Sequence, residues 1–124
     1  LPPVRVDPVQ LETALINLAV NARDAMEGAG RAILAARMSP AGEAGQPAEM
    51  EGRPAVALSF ADTGCGMAPE LLDRVLEPFF TTKEPGRGTG LGLAMVHGFA
   101  RQSGGALRIE SRPGEGTRVT LWLP

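Results

Sequence analysis

The sole lysine of the chain, Lys83, is followed by glycines at every second position, Gly86, Gly88, Gly90 and Gly92, in the stretch "KEPGRGTGLGLAMV". Alternate glycines let successive backbone N–H groups face an anion, and the positive end of a following helix adds to the attraction. The pattern from Leu91 predicts such a helix, so the segment reads as a phosphate-wrapping flap with Lys83 and Arg87 as cations at its base. It is neither of the two common glycine signatures. Lys83 precedes Glu84 rather than Ser or Thr, and no GxGxxG follows a strand. A loop that is merely rich in glycine would explain flexibility, but not a helix start beside the only lysine.

Two further clusters have the right types for a nucleotide. In "LETALINLAVNARDAM", Asn17, Asn21 and Asp24 fall within about 60° of one another at the border of the apolar face. An amide oxygen is a hard ligand suited to Mg²⁺, which keeps waters and takes few protein oxygens. Taken alone, the trio reads equally as an ordinary solvated face. In "DTGCGM", Asp62 can accept from an exocyclic amino group such as that of adenine, while Gly64 and Gly66 let the backbone approach a flat ring. The competing reading is a tight turn in which the Asp62 side chain binds nearby amides.

Composition narrows the classes. A length of 124 residues, 44% hydrophobic, suits one domain over residues 1–124. Fourteen acidic and 12 basic residues are spread without like-charge runs, and aromatics are only 4%, which argues against nucleic acid as a partner. No apolar run is long enough to cross a bilayer, so no direct membrane contact is expected. One cysteine, Cys65, and one histidine, His97, provide neither a disulfide nor a structural zinc site, and a cytoplasmic setting fits.

These clusters need elements to hold them. Residues 4–6 read as a short strand. Asp7, Pro8 and Gln10 form a helix start. Leu11, Leu15, Leu18, Ala22, Ala25 and Met26 then give one apolar face, ended by Gly28 and Gly30. Residues 31–38 predict a strand, and 39–54 a Pro/Gly/Ala/Glu connection with little reason to be ordered. In residues 55–62, Val56, Leu58 and Phe60 alternate with small residues, the signature of a strand with one bulky and one closely approached face. Helices are expected from Pro69 to about Leu76 and from about Leu91 to Gln102. A hairpin of 106–111 and 117–124 turns at "RPGEG". The order favours an α+β two-layer sandwich over a doubly wound sheet.

In this order and spacing the segments resemble the catalytic and ATP-binding domain of sensor histidine kinases, within the group that includes gyrase and mismatch-repair ATPases. "INLAVNARDAM" is similar to that family's N box, "DTGCGM" to its G1 box, "EPFFTTK" to its F box and "GRGTGLGLAMV" to its G2 box; "QSGG" and "GEGTRVTLWLP" match as well. The resemblance implies a Bergerat-type fold, a mainly antiparallel mixed sheet of about five strands backed by three helices.

It also implies ATP and Mg²⁺ as ligands. Asn21 would be the metal ligand, Asn17 its support one turn earlier, and Asp24 would line the pocket. Asp62 would bind the adenine amino group with Gly64, Gly66 and Met67 around it, and a water near Thr89 would assist. Phe79 and Phe80 would pack a lid at residues 84–90. Thr82, Lys83, Arg87, Gly88, Gly90, Leu91, Gly92 and Leu93 would complete the phosphate side, with Asn17, Asn21 and Lys83 carrying catalysis.

In the related ATPases a glutamate one turn before the metal asparagine activates water. Asn17 stands there in this chain and cannot accept a proton near neutral pH. Transfer of the γ-phosphoryl group to another nucleophile is therefore favoured over hydrolysis. His97 lies within a helix pattern and reads as a packing or surface residue. The acceptor is thus expected in a separate dimerisation and phospho-acceptor histidine domain of the same parent, with a response regulator receiver domain as indirect partner and this fragment monomeric. Two other readings share the boxes: an ATP/ADP-responsive interaction module without transfer, and an anti-sigma-type serine kinase.

Overall fold

Asp7 opens the first helix through its side chain. In the computed structural model, which describes residues 3–27, 29–72, 74 and 92–124, Asp7 Oδ1 accepts from the N–H groups of Val9 (2.9 Å) and Gln10 (3.3 Å). Pro8 occupies the first turn, where its missing N–H removes no helical bond. Helix α1 runs Pro8–Ala25 and buries Ala14, Leu18 and Ala22, one residue per turn. It stops before the expected glycines. Met26 is the C-cap and Glu27 takes the left-handed position at φ 53°.

The remaining elements are β1 (Ala32–Ser39), β2 (Ala55–Asp62), α2 (Pro69–Leu72), α3 (Gly92–Gln102), β3 (Ala106–Arg112) and β4 (Gly116–Leu123). The strands form a four-stranded sheet in the order β1-β2-β4-β3, every described pairing antiparallel. Register sorts the side chains strictly. Leu58, Leu121 and Leu107 lie in one cross-strand row and Phe60, Val119 and Ile109 in the next but one, all on a single face. Against that face Val96, Phe99 and Ala100 of α3 join Ala14 and Leu18 of α1 in the main core. Burying a side chain such as Leu18 contributes roughly 1.5–3 kcal/mol.

This is the α+β two-layer arrangement implied by the element order, with four strands among the described residues where about five are expected. Residues 4–6 are not a strand in the structure. Val4 and Val6 instead pack on the edge of the main core, so their alternation serves side-chain burial rather than a backbone ladder. The start of α2 matches expectation at Pro69; of the rest of the stretch to Leu76, only residues 70–72 and 74 are among the described residues.

The connection between β1 and β2, expected to have little order, is held by specific bonds. Ser39, wholly buried, donates to Glu43 Oε2 (2.5 Å), and Arg37 Nη1 donates to Glu43 Oε1 (2.7 Å). The Ser39 hydroxyl and the Arg37 guanidinium hold the Glu43 carboxyl below its ordinary value of 4.5. Gln46 Nε2 donates to the Arg53 carbonyl (2.8 Å), and Arg53 reaches the Gly104 carbonyl beyond α3 (2.6 Å). A short 3₁₀ turn, Ala48–Met50, then drops Met50 into a second core with Ala55, Ala57, Ala106 and Trp122. That core lies on the opposite face of the sheet from the helices. It explains the small residues alternating through β2: they let the connection approach.

Candidate functional site

Asn17, Asn21 and Asp24 sit half-buried on α1, at the border of its buried stripe, as their spacing requires. The first turn of α3 abuts this border. A Cβ built on Gly92 would lie 3.3 Å from Asn21 Nδ2 and 3.6 Å from its Oδ1, so glycine is what lets the second helix start against the amide. Asp24 also lies 3.6 Å from Arg23 Nε, an ion pair on the helix surface that contributes little.

The C-terminal end of the same helix grips the turn after β2. Cys65 N–H donates to the Ala25 carbonyl (3.1 Å). A Cβ on Gly64 would come within 2.8 Å of Ala25 backbone and Cβ atoms, closer than real contacts allow. Asp62 closes the β2 strand on the helix-facing side of the sheet, and its Oδ1 accepts from Gly64 N–H at 2.8 Å. The turn reading is therefore correct in geometry. It does not compete with a binding role, because no described residue bonds the second carboxylate oxygen, and the turn bond orients the group.

The other wall comes from the β3–β4 hairpin, whose part the sequence reading missed. Ser111 Oγ accepts from Met67 N–H (2.8 Å) and donates to the Gly116 carbonyl (2.9 Å), while Gly114 N–H donates to the Cys65 carbonyl (2.7 Å). Gly66 has φ 68°, and a Cβ there would fall 1.9 Å from the Arg112 carbonyl. Gly116, at φ 94°, presses on the Asp62 carbonyl in the same way, at 2.1 Å. The signal available was the pairing of "RPGEG" with flanking hydroxyl residues, which marks a turn but not what the turn touches.

The structure thus brings Asn21, Gly92, Gly64 and Asp62 into one constellation around the C-terminal half of α1. Asn17 and Asp24 belong to it by their place on the helix. Met67 is tethered through its backbone, and Leu93 packs against the main core. Phe80, Thr82, Lys83, Arg87, Gly88, Thr89, Gly90 and Leu91 lie outside the described residues. His97 is half-buried within α3, in keeping with packing rather than chemistry. Cys65 is a free, exposed cysteine.

The residues present fit a Mg²⁺-bound purine nucleotide. An amide that can bind a hard cation stands beside Gly92, and a carboxylate oriented by its own turn stands on the same side of α1, while the space left by Gly64 and Gly66 is taken by Ala25 and the Arg112 carbonyl rather than left for a ring. Among the described residues no group of three His, Cys, Asp or Glu could hold a metal ion by itself. No helix among them is long and apolar enough to cross a membrane.

Comparison with known proteins gives the family and the fold. A family model described as histidine kinase-, DNA gyrase B-, and HSP90-like ATPase matches residues 6–124. The chain is 44% identical over 124 residues to the sensor kinase CckA of Brucella abortus, covering 98% of this chain and 13% of that protein. It is 40% identical over 124 residues to the sensor histidine kinase ZraS of Escherichia coli strain K12, covering 100% of this chain and 23% of that one. It therefore spans under a quarter of the length of both relatives. Among solved structures, full-length ShkA in complex with AMPPNP superposes with a TM-score of 0.75 at 32% identity, over 100% of this chain and 23% of that chain. The mycobacterial sensor histidine kinase MprB gives 0.74 at 28% identity, over 98% of this chain and 76% of that one.

Proposed function

The chain belongs to the histidine kinase-, DNA gyrase B-, and HSP90-like ATPase family, and on that footing we propose that it is the ATP-binding catalytic domain of a sensor histidine kinase. It binds Mg²⁺-ATP and passes the γ-phosphoryl group to a histidine in a separate dimerisation and phospho-acceptor domain of the same parent. A response regulator receiver domain takes the group afterwards. The observation that carries the reading is the meeting of α1 with both the Asp62 turn and Gly92. Three segments distant in sequence converge there, and they bring an amide, an oriented carboxylate and a glycine at a helix start together, which supports the reading.

The residues divide the work by chemistry. Asp62 accepts from the adenine amino group, which a guanine lacks at that position, so the site selects adenine. Asn21 offers its amide oxygen to Mg²⁺, which neutralises charge on the phosphates when bound. Lys83 and Arg87 are assigned to the phosphates on residue type alone. Asn17, an amide, cannot take a proton from water, so hydrolysis is poorly assisted. Transfer then relies on positioning and charge neutralisation: the bond between the γ-phosphorus and the β-bridging oxygen breaks, a bond to the acceptor imidazole nitrogen forms, and ADP leaves.

Calorimetric titration with ATP, with and without Mg²⁺ and against GTP, tests the binding half. The expected result is adenine-selective binding strengthened by magnesium; none, in a folded chain, overturns the site. Mixing with a separately made acceptor domain tests the transfer half. Acid-labile phosphohistidine is expected, and acid-stable phosphate would move the chain to the serine kinases.

A further inference from the structure

The sheet face turned away from α1 and α3 carries a second polar pocket. Register places Arg37, Ala57, Trp122 and Ala106 in one row; Ala35, Ser59, Thr120 and Arg108 in the next; and Ile33, Ala61, Arg118 and Glu110 in the third. Small side chains in the centre of these rows leave a hollow of about 260 Å³, with residues 43–45 of the β1–β2 connection forming one wall. Three guanidinium groups gather around it, in a chain of net charge -2.

Their charges are not equally offset. Arg37 is paired with Glu43 at 2.7 Å, and Arg118 stands directly across the ladder from Glu110. Arg108 has neutral partners among the described residues: it donates to the Gly45 carbonyl (2.5 Å) and lies over the Trp122 ring at 5.6 Å from the centroid. The floor is under-bonded too. Thr120 is only 8% exposed and Ser59 is half-buried, yet neither hydroxyl has a hydrogen-bond partner among the described residues. The Trp122 indole N–H is buried with none. A buried donor left unsatisfied, here the indole N–H alone, costs about 1–3 kcal/mol, whereas the two hydroxyls are open to the hollow.

We propose that this pocket is a second ligand site, which takes a small molecule bearing a phosphate or carboxylate group, with Arg108 as anchor and the Ser59 and Thr120 hydroxyls as donors. The planar guanidinium fork matches either anion with two parallel hydrogen bonds. The position is distinct from the nucleotide constellation, since Asp62 belongs to the helix-facing side of the sheet and Ser59 and Thr120 to the other. Both ligands can therefore be bound at once.

Trp122 is the only tryptophan, so one indole N–H resonance reports on the pocket alone. The full chain, labelled with ¹⁵N, is titrated at constant ionic strength with inorganic phosphate, pyrophosphate and citrate. A saturable shift of that resonance is expected, weakened at least about tenfold in Arg108→Gln and in the near-isosteric Thr120→Val, and retained in Asp62→Asn. A response to phosphates alone or to citrate alone supports the site and states which anion it takes. An indole signal that stays flat with all three anions, or that shifts equally in both pocket variants, overturns the proposal. Thr120→Val preserves the shape of the floor, which keeps the result readable if Arg108→Gln does not fold. Asp62→Asn separates failure here from failure of the nucleotide reading.

Discussion

In the proposed site Asp62 would do two jobs with one carboxylate. One oxygen is spent on the Gly64 amide, which fixes the direction of the other. Replacing it by Asn keeps an acceptor for that turn but removes the charge that draws an exocyclic amino group. Asp62→Asn should therefore remain folded and lose ATP affinity by at least about tenfold, the order expected for a hydrogen bond to a charged group; calorimetry reads it directly. Gly66 presents the opposite case, where backbone and space together exclude any side chain. With φ 68° and a carbonyl 1.9 Å from a would-be Cβ, Gly66→Ala should cost more than about 3 kcal/mol, beyond ordinary point substitutions. Chemical denaturation measures it, and a cost under 1 kcal/mol, about that of an exposed surface change, would mean the turn gives way.

At the scale of elements, the β1–β2 connection behaves as a folded cover on the back of the sheet. Met50 is its anchor, fully buried against Ala55, Ala57, Ala106 and Trp122. Met50→Ala should cost about 2–5 kcal/mol, the range for emptying a core position, and release the cover, seen as faster proteolysis within residues 40–53. The carboxylate of Glu43 ties the same segment to β1. Because its folded pKa is depressed below the ordinary 4.5, the stability it contributes is present above that value and is lost as pH falls through the lower folded pKa. Amide chemical shifts of residues 41–46, followed from about pH 6 to 3, should report that loss, and Glu43→Gln should abolish this part of the pH dependence. Nothing in residues 39–54 announced such order. Proline, glycine and alanine are turn and linker residues by composition, and only burial of Met50 and the Ser39, Gln46 and Arg53 bonds, made to partners up to 51 residues away, overrides that tendency.

For the whole molecule, a ligand that binds only the folded chain must stabilise it. At a hundredfold excess over Kd, Mg²⁺-ATP should add about 2.7 kcal/mol, seen as a raised Tm in wild type and cut to about 1.4 kcal/mol or less at the same ATP concentration in Asp62→Asn. The amino-acid sequence by itself determined the local elements. Periodicity in α1, capping by Asp7, alternation in β2 and the turn chemistry of the last hairpin are local, set by dihedral preferences and one-residue spacing, so they are readable without neighbours. That Asn21, Asp62 and Gly92 share one site came from the resemblance carried by the order of the boxes, not from local spacing. What only tertiary structure decided are relations between segments. Whether valines at 4 and 6 pair or pack, which face Trp122 takes, how Ser111 and Gly116 brace the Asp62 turn, and that Arg37, Arg108 and Arg118 surround one hollow all depend on strand order β1-β2-β4-β3. Strand order is a property of long-range pairing, whose free energy comes from burial summed over distant residues, and no short stretch of the chain carries it.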